Sequence, residues 1–292
     1  MIQVCRNDGV ELHLEEFGEP LRPLIILISG AGAPAEFWPR DFCDGLAGKG
    51  FRVVRFWHRD TGISTHFDAP YSIDALIGDV LALQAELGAG KAHLVGHSMG
   101  GYIVQMMACR YPHRMLGSVA MATGPVHSED GKQRLELSSP DASLWPKLLA
   151  NQPKGDFESD LAGWLTSWNL LNGAIEIEEN LAVGYTRALY DGPASNHQVA
   201  DNHIHAVSTV PDSLAHELTE CDVPLLFLTG EYDPLVPPDH GRKSAGLSLA
   251  GQFRILPQAG HMYFNRATWD HILQEVSHHC AVADRRQEPI RP

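Results

Sequence analysis

The sequence is poor in cations and has no basic run longer than a pair such as Arg285 and Arg286. It holds 22 Lys and Arg against 36 Asp and Glu, a formal net charge of −14. Because nucleic acids and anionic membranes attract clustered cations, neither is an expected partner. Apolar residues make up 44% of the 292 residues and charged residues 20%, which excludes a disordered chain and indicates a soluble globular protein.

Cysteines are also few, and long apolar runs are absent. The five cysteines are scattered, odd in number and free of C-x-x-C spacing, which predicts reduced thiols and a cytoplasmic location. No apolar stretch approaches the roughly 20 residues that a membrane-spanning helix needs, since the longest covers only residues 23–29. The first residues lack a basic region followed by an apolar run, so no signal peptide is expected.

Strand-length apolar runs alternate with amphipathic helical stretches along much of the chain. Residues 23–29 and 92–96 are such runs, whereas residues 73–87 place apolar side chains at helical spacing. This alternation predicts an α/β fold, with a mainly parallel sheet and helices on both faces. Polar and apolar residues alternate over residues 10–15, which favours an antiparallel strand near a sheet edge.

The strand–helix rhythm stops in the middle of the chain, where helical patches replace the strands. We interpret this stretch as a helical cap inserted over the sheet. The predicted organisation has a first core segment over residues 1–123, the cap over residues 124–220, a second core segment over residues 221–283 and a flexible tail over residues 284–292.

The strongest chemical signal is the pentapeptide G-x-S-x-G formed by Gly96, Ser98 and Gly100 with their neighbours. It follows a short apolar strand and opens an apolar helix, which is the context of a nucleophile elbow. A tight strand-to-helix turn strains the serine backbone, and the flanking glycines relieve the crowding. The sequence therefore predicts that Ser98 is a catalytic nucleophile.

A serine hydroxyl needs a base and a carboxylate that orients the base. In this context the chain order is serine, acid, histidine. Asp233 follows the apolar strand at residues 224–229, and His261 follows the strand at residues 252–256. Both therefore lie at the strand ends where Ser98 is expected, and we predict Ser98, Asp233 and His261 as a catalytic triad.

Other residues offer alternatives to these assignments. Glu231 lies two residues before Asp233 and could supply the carboxylate, and His58 or His240 could supply the imidazole. The histidines at 203 and 205 and at 278 and 279 hint at a metal site. No carboxylate or cysteine stands at metal-ligand spacing from them, so we predict no metal.

The oxyanion formed on a carbonyl carbon needs backbone N–H donors. One predicted donor is Met99, which follows the nucleophile at a helix N-terminus, and the other is Ala31 in the glycine-rich exit of a strand. This glycine-rich segment could also be an ordinary turn.

The same segment lacks the third glycine of a dinucleotide-binding fingerprint, and we predict no cofactor.

With these residues the sequence resembles the α/β-hydrolase superfamily over nearly its whole length. The motifs are ISGAG at 28–32, HRDTGIST at 58–65, GHSMGG at 96–101, LTGEYDPLVPP at 228–238 and QAGHM at 258–262. Within the superfamily the chain is similar to the aclacinomycin methylesterase-like branch, which cleaves a methyl ester on an aromatic polyketide. The resemblance implies the same triad and oxyanion donors. Ser29 stands where many relatives have histidine, and Asp60 where glycine is common.

The predicted function is hydrolysis of a carboxylic ester, with a small-molecule ester as partner and, as the resemblance implies, a methyl ester of a bulky or aromatic substrate. Alternatives on the same fold are an amidase or prolyl aminopeptidase, a C–C bond hydrolase and a non-catalytic ligand receptor. The aminopeptidase would need an acidic anchor such as Glu176, Glu178 or Glu179, which a solvated helix face also explains. The oligomeric state stays undetermined.

The predicted cap is rich in aromatic side chains. Trp145, Trp164 and Trp168 are predicted substrate-binding residues, because aromatic side chains commonly line apolar pockets. The alternative is that these side chains form the cap's own core.

Overall fold

A computed structural model describes residues 2–7, 9–151, 154–191 and 196–287. Its centre is one eight-stranded sheet with the strand order β1-β2-β4-β3-β5-β6-β7-β8. Strand β2 pairs antiparallel with β1 and β4, and all other neighbours are parallel. The strands are β1 (Ile2–Asn7), β2 (Val10–Phe17), β3 (Leu24–Ile28), β4 (Arg52–Phe56), β5 (Ala92–His97), β6 (Met115–Met121), β7 (Leu225–Gly230) and β8 (Gly251–Leu256).

Helices follow most of the parallel strands, as right-handed crossovers require. They are α1 (Arg40–Gly48), α2 (Ile73–Glu86), α3 (Met99–Arg110), α4 (Glu129–Arg134), α5 (Leu144–Ala150), α6 (Phe157–Leu171), α7 (Glu179–Tyr190), α8 (Asn196–Ser208), α9 (Leu214–Leu218), α10 (Pro238–Leu247) and α11 (Arg266–Gln287). The predicted α/β fold is confirmed. Helices α4 to α9 lie between β6 and β7, within the stretch predicted to be a cap, and their role as a separate lid stays a prediction.

Strand β3 shows why a continuous apolar run becomes a central strand. All five of its residues are buried. Leu24, Ile26 and Ile28 join a core cluster with α2 and α3, whereas Ile25 and Leu27 join a second cluster with α1 and α11. Successive side chains of a strand point to opposite faces, so both faces of the sheet need apolar cover here.

The structure corrects the sequence analysis at both ends of the chain. The antiparallel strand predicted at residues 10–15 is β2, but the edge itself is β1, which the sequence analysis did not identify. Helix α11 continues through Gln287, four residues into the predicted flexible tail. Asp284 has a structural reason to stay helical, because its Oδ1 lies 2.9 Å from Nε2 of the buried His93. Residues 288–292 lie outside the described residues.

The helices described above include none with both the length and the apolar character needed to cross a membrane.

Candidate active site

The residues predicted to act together all follow parallel strands at one edge of the sheet. Ser98 follows β5, Asp233 lies three residues after β7, and His261 lies five residues after β8. Since the carboxyl ends of parallel strands meet at the same edge, the topology brings the three residues to one place.

Ser98 occupies a strained elbow between β5 and α3. Its φ of 53° and ψ of −111° lie in a region that residues with a Cβ rarely adopt. A Cβ on Gly96 would lie 2.1 Å from the carbonyl oxygen of Gly100, and one on Gly100 would lie 2.3 Å from that of Ile28. Both positions therefore require glycine if the turn is to close this tightly.

His261 and Asp233 form a buried pair. His261 Nδ1 lies 2.9 Å from Asp233 Oδ2, and each residue is only 4% exposed. The other carboxylate oxygen, Oδ1, accepts the N–H groups of Leu235 at 2.9 Å and Val236 at 2.8 Å. When Nδ1–H donates to the carboxylate, a ring that carries a single proton has an unprotonated Nε2 that can act as a base.

His97 connects the serine elbow to the loop between β8 and α11, residues 257–265, which carries His261 and is called the histidine loop below. Its Nε2–H donates to the carbonyl oxygen of His261 at 2.8 Å, and the two ring centroids lie 4.9 Å apart. Phe37 stacks on the His97 ring with centroids 4.4 Å apart, and Tyr263 meets it edge-on at 5.4 Å. Burial, together with the nearby His261, lowers the pKa of His97 well below its usual value, so the ring is neutral.

The alternative acid and bases have other partners. Glu231 is exposed, and its Oε2 accepts the N–H of Gln258 at 3.0 Å. His240 Nε2 donates to the Ser138 carbonyl oxygen at 2.8 Å. His58 is buried beside Phe56 and His203, with ring centroids 4.7 and 5.7 Å away. None of the three alternatives takes part in the His261–Asp233 pair.

The two predicted oxyanion donors lie next to the elbow. Met99 is the first residue of α3, so its N–H has no acceptor within the helix. Ala31 lies in the turn after β3, and among the described residues its N–H has no acceptor either. The turn touches the elbow, since a Cβ on Gly30 would lie 3.3 Å from the Cβ of Ser98. Ser29 directs its hydroxyl away to the Pro34 carbonyl oxygen, at 3.4 Å.

The histidine loop is also held by the last residue of α6 and the residue after it, a contact that the sequence analysis missed. The Leu171 carbonyl oxygen accepts the N–H groups of His261 at 2.7 Å and Met262 at 2.9 Å. The Asn172 carbonyl oxygen accepts the Gly260 N–H at 3.0 Å, and its side-chain Oδ1 accepts the Phe264 N–H at 2.9 Å. The dipeptide Asn172–Gly173 indicates a turn in the sequence, but nothing in it indicates the partner.

The three tryptophans predicted to bind substrate lie in different surroundings. Trp164 and Trp168 stack with centroids 4.9 Å apart, and their indole N–H groups donate to Tyr190 at 2.9 Å and Thr186 at 2.8 Å. Trp145 is 51% exposed. These contacts are packing between α6 and α7, and Trp168 also meets Phe264 with ring centroids 5.6 Å apart. A role for any of the three tryptophans in binding substrate stays a prediction.

The HRDTGIST segment builds a rigid loop beside the site. Arg59 forms a two-pronged ion pair with the buried Asp79, with N–O distances of 2.6 and 2.7 Å. Asp60, at φ 68°, accepts the Phe67 N–H at 2.6 Å and the Tyr71 hydroxyl at 2.7 Å. The carboxylate therefore holds the loop where relatives of the predicted family commonly have glycine.

The fold and the arrangement at the sheet edge define an α/β hydrolase. The model of the α/β-hydrolase fold family matches residues 23–265, and the chain belongs to this family. The resemblance to the family found in the sequence is confirmed.

The chain is similar to two curated methylesterases. It is 32% identical to rhodomycin D methylesterase DauP of Streptomyces sp. (strain C5) and 30% identical to rhodomycin D methylesterase DnrP of Streptomyces peucetius. Each match covers 89% of this chain and 91% of the relative. The predicted similarity to the methylesterase branch is therefore confirmed.

Solved structures agree on the fold. The enol-lactonase from Burkholderia xenovorans LB400 superposes with a TM-score of 0.73 at 24% identity, over 96% of this chain and 100% of that structure. A thermophilic esterase from Thermogutta terrifontis gives a TM-score of 0.71 at 20% identity, over 97% and 99%. At these identities the likeness concerns the architecture alone.

Proposed function

We propose that this protein cleaves a carboxylic ester through Ser98, His261 and Asp233, by way of an acyl-enzyme. The chain is a hydrolase acting on ester bonds, as its similarity to methylesterases and to the bifunctional esterase/perhydrolase of Acinetobacter calcoaceticus indicates. The observation that carries the triad is the buried His261–Asp233 pair, 2.9 Å between Nδ1 and Oδ2, beside the strained serine elbow.

The proposed reaction begins when His261 Nε2 takes the proton of Ser98 as its Oγ attacks the ester carbon. The oxyanion that forms accepts the N–H groups of Ala31 and Met99. Each such donor is worth about 3 kcal/mol of barrier, a hundred- to thousandfold in rate. The C–O bond then breaks, the alcohol leaves with the proton from His261, and water activated by the same imidazole releases the acid. Asp233 orients the ring and stabilises its charged form.

For the substrate, we propose a methyl ester carried by a bulky or aromatic group. The named substrate of DauP and DnrP, rhodomycin D, supports this class. A prolyl aminopeptidase is less well supported, because Glu178 is already paired with Arg266.

Labelling by a fluorophosphonate probe tests the nucleophile. Wild-type protein is expected to be labelled and to hydrolyse p-nitrophenyl esters, whereas Ser98→Ala loses both. A Ser98→Ala variant that is still labelled and still active would overturn the proposal.

The acid is tested by a matched pair of variants. Asp233→Asn should lower kcat by about 10⁴-fold, because the histidine takes the wrong tautomer. Glu231→Gln, two residues away and exposed, should leave kcat within about twofold. The opposite ranking of the two variants would assign the acid to Glu231.

A further inference from the structure

The turn that carries Ala31 is closed by its own backbone, and the Gly32 N–H takes no part in the closing hydrogen bond. The Gly30 carbonyl oxygen accepts the Ala33 N–H at 3.2 Å, and Gly32 has a φ of +68°. A positive φ at the third residue is typical of a type II turn. In that turn the N–H of the middle peptide, between Ala31 and Gly32, points away from the closing hydrogen bond.

A histidine 171 residues away accepts this N–H. The Gly32 nitrogen lies 2.8 Å from Nδ1 of His203, which belongs to helix α8. On the other side of the ring, Nε2 lies 3.1 Å from the Arg59 carbonyl oxygen. A backbone N–H only donates and a carbonyl only accepts, so these two partners fix a neutral ring with its proton on Nε2.

The surroundings keep His203 in place and uncharged. Its side chain is fully buried, and burial is the main cause that lowers its pKa to about 4, although the nearby Asp60 acts in the opposite direction. Asn202, the preceding residue, donates to Asp60 Oδ2 at 2.9 Å and to the Phe67 carbonyl oxygen at 3.0 Å. Asn202 and His203, adjacent residues of α8, are thus both fixed by hydrogen bonds, and this keeps Nδ1 of His203 facing the Gly32 N–H.

We propose that His203 is a positioning residue for the oxyanion hole. The Ala31 N–H belongs to the preceding Gly30–Ala31 peptide, and the bond from the Gly32 N–H to Nδ1 anchors the turn that carries this peptide. Without that acceptor the turn can shift or change type, and the Ala31 N–H moves with it. The bond also occupies the Gly32 N–H, which leaves the Ala31 N–H as the donor of this loop. The inference rests on the proposed function.

The test compares two substitutions at His203. His203→Phe keeps the ring volume and removes the acceptor, whereas His203→Asn keeps an amide oxygen near the position of Nδ1. Fluorophosphonate titration first counts the active sites, so that unfolded protein does not lower the measured kcat. His205→Ala, at an exposed position of the same helix, is the control.

The readouts are kcat and KM for a p-nitrophenyl ester and the inhibition constant of a trifluoromethyl ketone. Ser98 adds to this ketone, and the resulting oxyanion has the geometry of the reaction intermediate. For His203→Phe we expect kcat per active site to fall by about 10- to 100-fold, with KM within about twofold. The inhibition constant should rise by the same factor. His203→Asn should recover most of both losses, and His205→Ala should match the wild type.

Two results would overturn the inference in different ways. If the wild type is active and labelled, but His203→Phe keeps its kcat and inhibition constant, His203 does not position the donor and the proposed function stands. Equal losses in the Phe and Asn variants with an unchanged inhibition constant lead to the same conclusion. If the wild type is neither labelled nor active on any ester, the proposed function fails and this inference with it.

Discussion

The elbow of Ser98 and the loop of His261 are held in place by different means. The elbow is built mainly by neighbours in sequence, since a Cβ on Gly96 would meet the Gly100 carbonyl oxygen and α3 begins at the residue after Ser98. The histidine loop is hydrogen-bonded to Leu171 and Asn172, which lie about 90 residues earlier in the chain. One part of the site is thus specified locally, whereas the other depends on how the helical insertion packs.

A substitution that disrupts the serine elbow should have the largest effect on ester hydrolysis and on stability. In Gly96→Ala the new methyl group would lie 2.1 Å from a backbone oxygen, so the elbow must open. We expect ester hydrolysis to fall by more than roughly 100-fold and the free energy of unfolding by about 3 kcal/mol. Kinetic assays and denaturant unfolding measure the two quantities.

Gly184→Ala is the control for that variant, because a Cβ there meets nothing within 4 Å. It lies within α7 and should keep full activity, with a gain in stability of up to about 1 kcal/mol. A Gly96→Ala enzyme with normal kcat would show that the elbow tolerates a side chain.

A substitution that removes a contact between Asn172 and the histidine loop should have a smaller effect on ester hydrolysis. Asn172→Ala leaves the Phe264 N–H without its acceptor, which should lower the free energy of unfolding by about 1–3 kcal/mol. The loosened histidine should lower kcat by about tenfold with little change in KM. Asn172→Asp keeps the acceptor oxygen for Phe264 but loses the N–H that Nδ2 donates to the Ile175 carbonyl oxygen at 2.8 Å, so it should recover little of the loss. Unchanged kcat in a destabilised Asn172→Ala would mean that the contact supports the fold but not the histidine.

Acid should weaken the packing that the insertion provides. Burial, the largest cause in each case, lowers the pKa of His58 to about 3 and that of His203 to about 4. In the unfolded chain both take up protons below about pH 6.5. Their contribution to stability is therefore intact above pH 6.5 and is lost as the pH falls towards 4, by up to about 1.4 kcal/mol per pH unit for each histidine.

Denaturant unfolding between pH 7 and pH 4 measures this slope. His58→Phe should make it shallower, while a substitution at the exposed His205 should leave it unchanged. An identical slope in His58→Phe would contradict a buried neutral histidine at this position.

The smallest effect is expected at the surface of the insertion. Trp145 is half-exposed, so Trp145→Ala should change the free energy of unfolding by no more than about 0.5 kcal/mol. Trp168→Ala should cost about 3 kcal/mol or more, because that ring is buried and its N–H is bonded. A severalfold rise in KM for Trp145→Ala would support its predicted role in binding substrate.

The sequence was most informative where structure and chemistry depend on neighbouring residues. The run at residues 23–29 predicted a doubly covered strand, and the glycines around Ser98 predicted the strained turn. Strand β1 was missed although its partner β2 follows after two residues, because residues 2–7 contain no continuous apolar run. The last turns of α11 were missed because one of their partners, His93, lies far along the chain. For the same reason the sequence pointed to His203 only as half of a metal-like pair, whereas its partners are the backbone of Gly32 and Arg59.

The bonds from Leu171 and Asn172 to the histidine loop also bear on how substrate range could change in evolution or in the laboratory. A chimera that replaced residues 124–220 with the corresponding region of a relative would keep the imidazole aligned only if the new segment returned these carbonyl and amide oxygens to the same positions, however well its pocket matched the ligand. Grafts that retain residues 171–173 and 202–203 and exchange only the outer helical surfaces would alter selectivity while preserving turnover.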